Sequence, residues 1–356
     1  MLDIIQKRTN RPAKANMEHN APHKGATFEG YYSKFDLPSG AHLAIIICQV
    51  KGARQKPYML SFTYVPPTDD ATAVFQREIW ADEMHMVTLG QEDHAFGLEV
   101  PGVGYARWGA DSVTEYRLEH DAFTFHGKTT TRTPWSSGTE TPEGLLVHLP
   151  LPMHWHVHSL ASDCDFKLDI PSYHLPTADR SGTATVHQEK NWATSFPAAH
   201  IWLQARDHAH GRGFCCAGGQ ILGLEAFLLG YRSADLNIDF RPPFATRLAG
   251  LGPFMSYTTD WEARRFELSV QSFRQKLTVT ATAPKGSFFA LSSPFPEGHR
   301  ENFLAQSFRA RCEVKIYESA WGMGPWRLVR EEVFEGASLE FGGGYYPPAG
   351  SSQRIH

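Results

Sequence analysis

What this chain has little of narrows the possibilities before any motif is read. Its 356 residues hold five cysteines, Cys48, Cys164, Cys215, Cys216 and Cys312, with no Cys-x-x-Cys spacing. Adjacent Cys215 and Cys216 have poor disulfide geometry, so the set reads as free, mostly buried thiols of a reducing compartment. No window approaches the ~18 apolar residues of a membrane span, and "MLDIIQKRTNRPAKANMEHNAPHKG" lacks the apolar core of a signal peptide. These absences predict a cytoplasmic protein with no stable membrane insertion. Neither charge sign dominates: 34 basic residues face 38 acidic ones, with no basic run, which argues against nucleic acid as a partner. There is no GxxxxGK[ST] loop, and Gly218–Gly219 sit in strand-like text, so no cofactor is expected. Helical patterning is nearly missing; "ENFLAQSF" from Glu301 suggests a helical turn or two.

What is present is strands and turns. "PYMLSFTYV" puts Tyr58, Leu60, Phe62 and Tyr64 on one face. "SFRARCEVKIYES" alternates Phe308, Ala310, Cys312, Val314 and Ile316 with Arg309, Arg311, Glu313 and Lys315, the period of antiparallel sheet with one wet face. "RRFELSVQSFRQKLTVTATAP" reads as two strands around a turn near Arg274, and "HLAIIICQV" as a strand covered on both sides. With 23 prolines and 30 glycines marking strand-length intervals, the predicted class is all-β: two antiparallel barrels or sandwiches with very little helix. Turn chemistry at "PTADRSGTA" places the boundary between domains 25–180 and 181–346. Residues 1–24 read as a disordered tail and 347–356 as a flexible one.

One stretch fits neither a wet strand nor an apolar core strand: "EKNWATSFPAAHIWLQA", Glu189 to Ala205. Alternation puts His187, Glu189 and Asn191 on one face and Gln188, Lys190 and Trp192 on the other. After the break at Phe196–Pro197, His200, Trp202 and Gln204 share a face. Hydrogen-bonding groups mixed with aromatic rings are what a ligand-cavity wall requires, apolar area for affinity and a few polar groups for orientation. The competing reading is a structural plug at a barrel base, in which Lys190 stacks on Trp192, with "Gly30-Tyr31-Tyr32" as its counterpart. Burying a carboxylate costs several kcal/mol unless it is paired, which singles out Glu189. In "LPMHWHVHSL", His154, His156 and His158 share a strand face. No Cys or carboxylate supports them at ligand spacing, so they read as cavity or surface histidines and no metal is expected.

These segments resemble the tocopherol cyclase-like family. "FEGYYSKF" is similar to its FEGWY-type opening, the Glu189–Ala205 stretch to its EK[ND]WG..FP..W.WxQ signature, "PMHWHVHSL" to a Pro-Met-x-x-x-His segment, and "CCAGGQILGLEAFLLGY" to glycine-rich strands that follow. The similarity spans most of residues 25–345 and is specific in the Glu189–Gln204 block. It implies a pair of lipocalin-like β-domains, a hydrophobic cavity, and closure of a prenylated quinol to a chromanol. More distant relatives implied are carotenoid hydratases and fungal decalin-forming Diels–Alderases. Ala193, Thr194, Tyr31 and His200 stand where the family has Gly, a frequent Arg, Trp and Trp, and these departures touch the cavity wall itself.

The expected activity is therefore non-redox ring closure in a hydrophobic prenylated, polyketide or terpenoid small molecule. Glu189, then Glu29, is the candidate acid, kept neutral by burial. Tyr31, Trp192 and Trp202 could face a cation, with His200, His154 and His156 completing the binding wall. His187, Asn191 or Gln204 would hold a phenol or carbonyl oxygen. A pericyclic closure would use the same residues without proton transfer. A non-catalytic lipid or terpenoid carrier and an isoprenoid double-bond hydratase are the alternatives. The oligomeric state is left open.

Overall fold

Period-two patterning interrupted by Gly and Pro turns can only pair antiparallel, and the computed structural model is built this way throughout. It describes residues 20–68, 73–90, 95–136, 141–194, 196–221, 223–322 and 324–354. The first sheet begins with β1 (Phe28–Asp36), β2 (His42–Val50), β3 (Tyr58–Val65) and β4 (Phe75–Ala81). It continues through β5 (His85–Thr88), β6 (Phe96–Val100), β7 (Gly104–Trp108), β8 (Thr114–His120) and β9 (Phe123–Thr129). It ends with β10 (Met153–Asp169) and β11 (Ser181–Ala193), in the spatial order β4-β3-β2-β1-β11-β10-β9-β8-β7-β6-β5.

The second sheet opens with β12 (Ala199–Asp207), β13 (Arg212–Ile221), β14 (Leu224–Arg232), β15 (Asn237–Phe240) and β16 (Thr246–Leu248). Then come β17 (Met255–Asp260), β18 (Arg265–Gln271), β19 (Gln275–Thr282), β20 (Phe289–Phe295), β21 (Gly298–Glu318) and β22 (Arg327–Gly343). Its main path runs β15-β14-β13-β12-β22-β21-β19-β18-β17, with β16 on β14 and β20 on β21. The described helix is two short 3-10 segments, Gly144–His148 and Thr177–Asp179. "ENFLAQSF" is not helical; it lies within β21, where pairing to β20 and β22 on either side overrides its local preference.

Each sheet curls around its own apolar core. Leu43, Leu60, Phe62, Phe123 and Phe125 fill the first, and Ile201, Phe214, Phe227, Phe266 and Phe341 the second. The outer faces of β10, β11, β1, β2 and β3 turn toward those of β14, β13, β12, β22, β21 and β20. This explains why β3 alternates in chemistry and yet is buried along nearly its whole length. The boundary expected at 180 falls between two neighbouring strands of one sheet, since β11 pairs with β1 and β10. The chain crosses to the second sheet between Ala193 and Ala199.

Residues 1–19 lie outside the described part. Asn20–Lys24, expected in a loose tail, are built onto the end of the first barrel: Lys190 Nζ donates to the Ala21 carbonyl at 2.8 Å. Residues 347–354 fold back on the second barrel, where the Gln353 carbonyl accepts from Trp261 Nε1 at 2.9 Å.

Candidate active site

Strand β11 is buried on both sides, so its alternation sorts its side chains into two chemically different interiors. Gln188, Lys190 and Trp192 point into the first barrel with Glu29 and Tyr31 of β1 and His156 of β10, their cross-strand neighbours. There the Lys190 ammonium meets a Glu29 carboxylate oxygen at 2.5 Å and the Tyr31 hydroxyl at 3.2 Å. Its charge also lies 4.7 Å from the Tyr31 ring and 5.0 Å from that of Trp192. Burial pushes Glu29 up, but Lys190 and the hydrogen bond from His23 outweigh it and hold the carboxyl at about 2. Burial likewise lowers Lys190, opposed by Glu29, to about 8. Trp192 is sandwiched between His23 at 3.8 Å and His154 at 4.9 Å. This is a structural plug. Glu29, expected as a second acid, is instead an ionised partner of a lysine. Tyr31, Trp192 and His156, expected on the binding wall, face away from the cavity.

The opposite faces enclose a cavity of about 410 Å³ between the sheets, lined mainly by apolar groups such as Ile46, Met59, Leu228, Leu291 and Leu304. Glu189, Asn191 and Tyr32 border it from the first sheet, and His200, Trp202, Gln306 and Glu340 from the second; Glu143 and His154 line its β10 end, and Thr246, Ser292 and Ser293 add hydroxyls elsewhere on the second-sheet side. His187 stands behind Glu189: its Nε2 lies 2.8 Å from Glu189 Oε2, and its ring centroid lies 6.4 Å from that of Trp202. Glu189 Oε1 takes no hydrogen bond from the described residues. Across the cavity His200 Nε2 lies 2.7 Å from Glu340 Oε1, while Gln306 Nε2 donates to Glu340 Oε2 at 3.0 Å.

A carboxylate only accepts, so each imidazole donates through Nε2, and its neutral form keeps a lone pair on Nδ1. Neither Nδ1 has a partner among the described residues, and neither do the indole N–H groups of Trp155 and Trp202. The Tyr32 hydroxyl donates to Gln306 Oε1 at 3.5 Å. Burial, then the Glu189 and Glu340 carboxylates, pushes this phenol well above its ordinary range, so it stays a donor.

A third carboxylate–histidine pair sits at the β10 end. Glu143, just before the 3-10 turn, accepts from the Trp155 backbone N–H at 2.5 Å and lies 2.8 Å from His154 Nδ1. The three histidines of β10 do not converge. His158 is lowered to about 3 by burial and by Arg132, and no three His, Cys, Asp or Glu among the described residues are placed to share a metal ion. Gln204 shares the face of His200 and Trp202 but lies beyond the cavity, accepting from Lys34 at 3.4 Å and Ser338 at 3.5 Å.

Sequence reasoning missed Tyr32, Gln306, Glu340 and Glu143. For Tyr32 a signal existed, because it falls on the Gly30 face of β1 and alternation separates it from Tyr31. Glu340 is a single carboxylate between the core residues Leu339 and Phe341. Nothing local marks Glu143 or Gln306.

Two glycines make room for these walls. A Cβ on Gly342 would stand 1.8 Å from His200 Cε1, so the imidazole lies flat on bare backbone. A Cβ on Gly30 would meet Asn191 Oδ1 at 3.2 Å and Cys48 Sγ at 3.3 Å.

No family model matches the sequence, and no curated protein matches it. Solved structures do share the architecture. CghA, crystallised with Sch210972, aligns with a TM-score of 0.53 at 11% identity over 89% of this chain and 88% of its own. Kievitone hydratase from Nectria haematococca aligns with a TM-score of 0.55 at 9% identity over 94% of this chain and 94% of its own. At these identities the likeness is one of fold, and the chain is an all-β, lipocalin-like protein of two curled antiparallel sheets.

Proposed function

We propose that this protein is a cofactor-independent enzyme that closes a ring in a hydrophobic prenylated, polyketide or terpenoid substrate held between the two sheets. One observation carries the reading. An otherwise apolar cavity has a carboxylate backed by a histidine on one wall and a histidine backed by a carboxylate on the other, with a phenol donor beside them. Binding an apolar molecule requires none of these groups. Moving a proton in a dry site requires them.

A carboxylic acid is a feeble donor to an isolated alkene, so the favoured step is addition to a conjugated double bond. An internal hydroxyl gives its proton to Glu189 Oε1 or His200 Nδ1 as its oxygen bonds to the far alkene carbon. The electron pair shifts to the carbonyl oxygen, where Tyr32 and Trp202 donate, and the proton returns to the adjacent carbon. Substrate and product are isomers and nothing is oxidised. General base catalysis is worth roughly 10²–10⁴-fold, and fixed donors at a developing oxyanion contribute comparably. With water replacing the internal hydroxyl the same step is a hydration, the reaction named in kievitone hydratase, which shares the fold.

The test is incubation of purified protein with a panel of linear conjugated precursors in deuterated water. The expected product has the substrate's mass plus one carbon-bound deuterium, and its formation is lost in Glu189→Gln and in His200→Phe. Ring closure without label identifies a pericyclic reaction that uses only the hydrogen-bond donors. Binding without any product identifies a carrier.

A further inference from the structure

Both walls of the cavity are sheet, but its border between β10 and β14 is formed by a strap, residues 141–152, that belongs to neither sheet. Upstream of it Trp135 is docked on the second sheet: its indole N–H donates to Asp239 Oδ1 at 3.1 Å, and its carbonyl accepts from Arg232 Nε at 2.5 Å. Downstream the strap runs into Met153, where β10 begins. It therefore crosses from one wall to the other, and on the way Gly144 rests on Arg241 with no room for a side chain. Glu143, Leu146, Leu151 and Pro152 line the cavity, while Leu145 and Leu149 are 85% and 50% exposed. On the facing edge Leu224 and Leu248, cross-strand partners on β14 and β16, are exposed as well. This border has apolar lips on both sides.

The strap is not held the way the strands are. Its main-chain N–H groups at Gly144, Leu146, Leu149 and Leu151 donate to Thr141, Glu143, Leu146 and Leu149, all within the strap. Among the described residues no main-chain bond joins 141–152 to either sheet. The tie to β10 is made by side chains. β10 meets β9 only from Cys164 onward, which leaves the edge of its first residues to other partners. There the Thr141 hydroxyl donates to the Trp155 carbonyl at 3.2 Å. Glu143 accepts from the Trp155 N–H at 2.5 Å and lies 2.8 Å from His154 Nδ1. A buried edge N–H without an acceptor is costly, so this carboxylate decides whether the strap stays on β10. Glu143 is fully buried and has no part in the ring-closing step.

We infer that residues 141–152 are the entry gate of the cavity and that Glu143 is its latch: release of Trp155 and His154 lets the strap swing from β10, and an apolar ligand passes between the leucine lips. This rests on the cavity being a ligand site and adds the route by which the ligand reaches it. A segment carried by ladder bonds opens only with its sheet, whereas one pinned by side chains opens by itself.

Stopped-flow binding of N-phenylnaphthylamine, an uncharged fluorescent probe, to the full chain measures the gate. Glu143→Ala should raise the association and dissociation rates together, each about tenfold, the equivalent of one hydrogen bond to a charged acceptor. Kd should stay nearly unchanged, because an unlatched strap lets ligand in and out alike. Glu143→Gln keeps an acceptor for the Trp155 N–H and a donor for His154 Nδ1, so its rates should stay close to wild type. Wild type alone gives a second reading that needs no variant to fold. The Trp155 amide, freed when the latch opens, should exchange with deuterium at least about tenfold faster than the Glu189 and Lys190 amides of β11, which have a strand on either side. Faster dissociation at an unchanged association rate makes Glu143 a wall contact and overturns the gate, as does Trp155 exchange no faster than that of β11. Glu143→Gln rates that match Glu143→Ala assign the effect to charge and also overturn it. Gated binding without turnover of any conjugated precursor leaves the gate standing and removes the proposed catalysis. Failure of wild type to bind the probe removes the ligand site, and the gate with it.

Discussion

Glu29 and Glu189 are both buried carboxylates on paired strands, each beside a nitrogen base, yet they have opposite fates. Glu29 faces the filled interior of the first barrel, where Lys190 neutralises it and its carboxyl is held at about 2. Glu189 faces the hollow between the sheets and has a histidine behind it. Burial of a carboxylate is therefore no sign of chemistry by itself; the cation that meets it and the space in front of it decide. A lysine pair locks the ionised state into the fold, while a histidine behind the carboxylate offers a second ring nitrogen that can exchange a proton.

The contrast is tested most strongly by removing each partner. Lys190→Met strands a fully buried negative charge, and breaking such a pair costs about 3–5 kcal/mol. His187→Phe leaves Glu189 bordering a cavity that can admit water, and a loss nearer 1 kcal/mol is expected. Urea unfolding of the two variants measures the difference. The double variant Glu29→Gln/Lys190→Met should regain much of the loss, because the cost lies in the orphaned charge. Equal destabilisation by Lys190→Met and His187→Phe would erase the distinction between plug and site.

Acid sharpens the same comparison. Glu29 is lowered from an ordinary 4.5 to about 2, so it contributes stability that is complete above pH 4.5 and lost as the pH falls toward 2. A shift of that size corresponds to about 3 kcal/mol across the window. Stability of Glu29→Gln should fall less steeply between pH 5 and 2 than that of the wild type. Coincident acid limbs for wild type and Glu29→Gln would show that Lys190 does not hold the carboxylate as described.

Much of this arrangement was legible in sequence because period two is imposed by covalent geometry. The grouping of His187, Glu189 and Asn191 against Gln188, Lys190 and Trp192 holds, as does the common face of His200, Trp202 and Gln204. Which face meets a cavity was not legible. A strand buried on both sides has no wet face to orient it, and that is why Tyr31 stood in for Tyr32 and Glu29 for a cavity acid. Glu340, Gln306 and Glu143 reach the site through sheet pairing and packing between strands far apart in the chain, and local patterning carries no trace of that. Turn chemistry at Pro176–Ala184 has the same limit: the connection after β10 returns the chain to the same sheet as β11, and local chemistry alone does not distinguish such a return from a linker.

The walls can also be compared through their two glycines. At Gly342 a methyl group would press into the face of the His200 ring, 1.8 Å from Cε1, and the ring cannot yield without leaving Glu340. Misplacing a catalytic group by about 1 Å costs on the order of a hundredfold in rate, so Gly342→Ala should lower turnover about that far. Its overpacking cost is about 1–3 kcal/mol.

At Gly30 the neighbours are the tips of Asn191 and Cys48 at 3.2 and 3.3 Å, and a shift of a few tenths of an ångström accommodates the methyl. Gly30→Ala should therefore change stability by less than about 1 kcal/mol, while narrowing the cavity beside Asn191 and Cys48. The decisive readout is the kind of ligand affected. A methyl beside Asn191 should weaken ligands long enough to reach this point and spare short ones that occupy another part of the cavity. Uniform weakening across chain lengths would place Gly30 outside the path of the ligand, and the first-sheet wall would then be support for Asn191 alone.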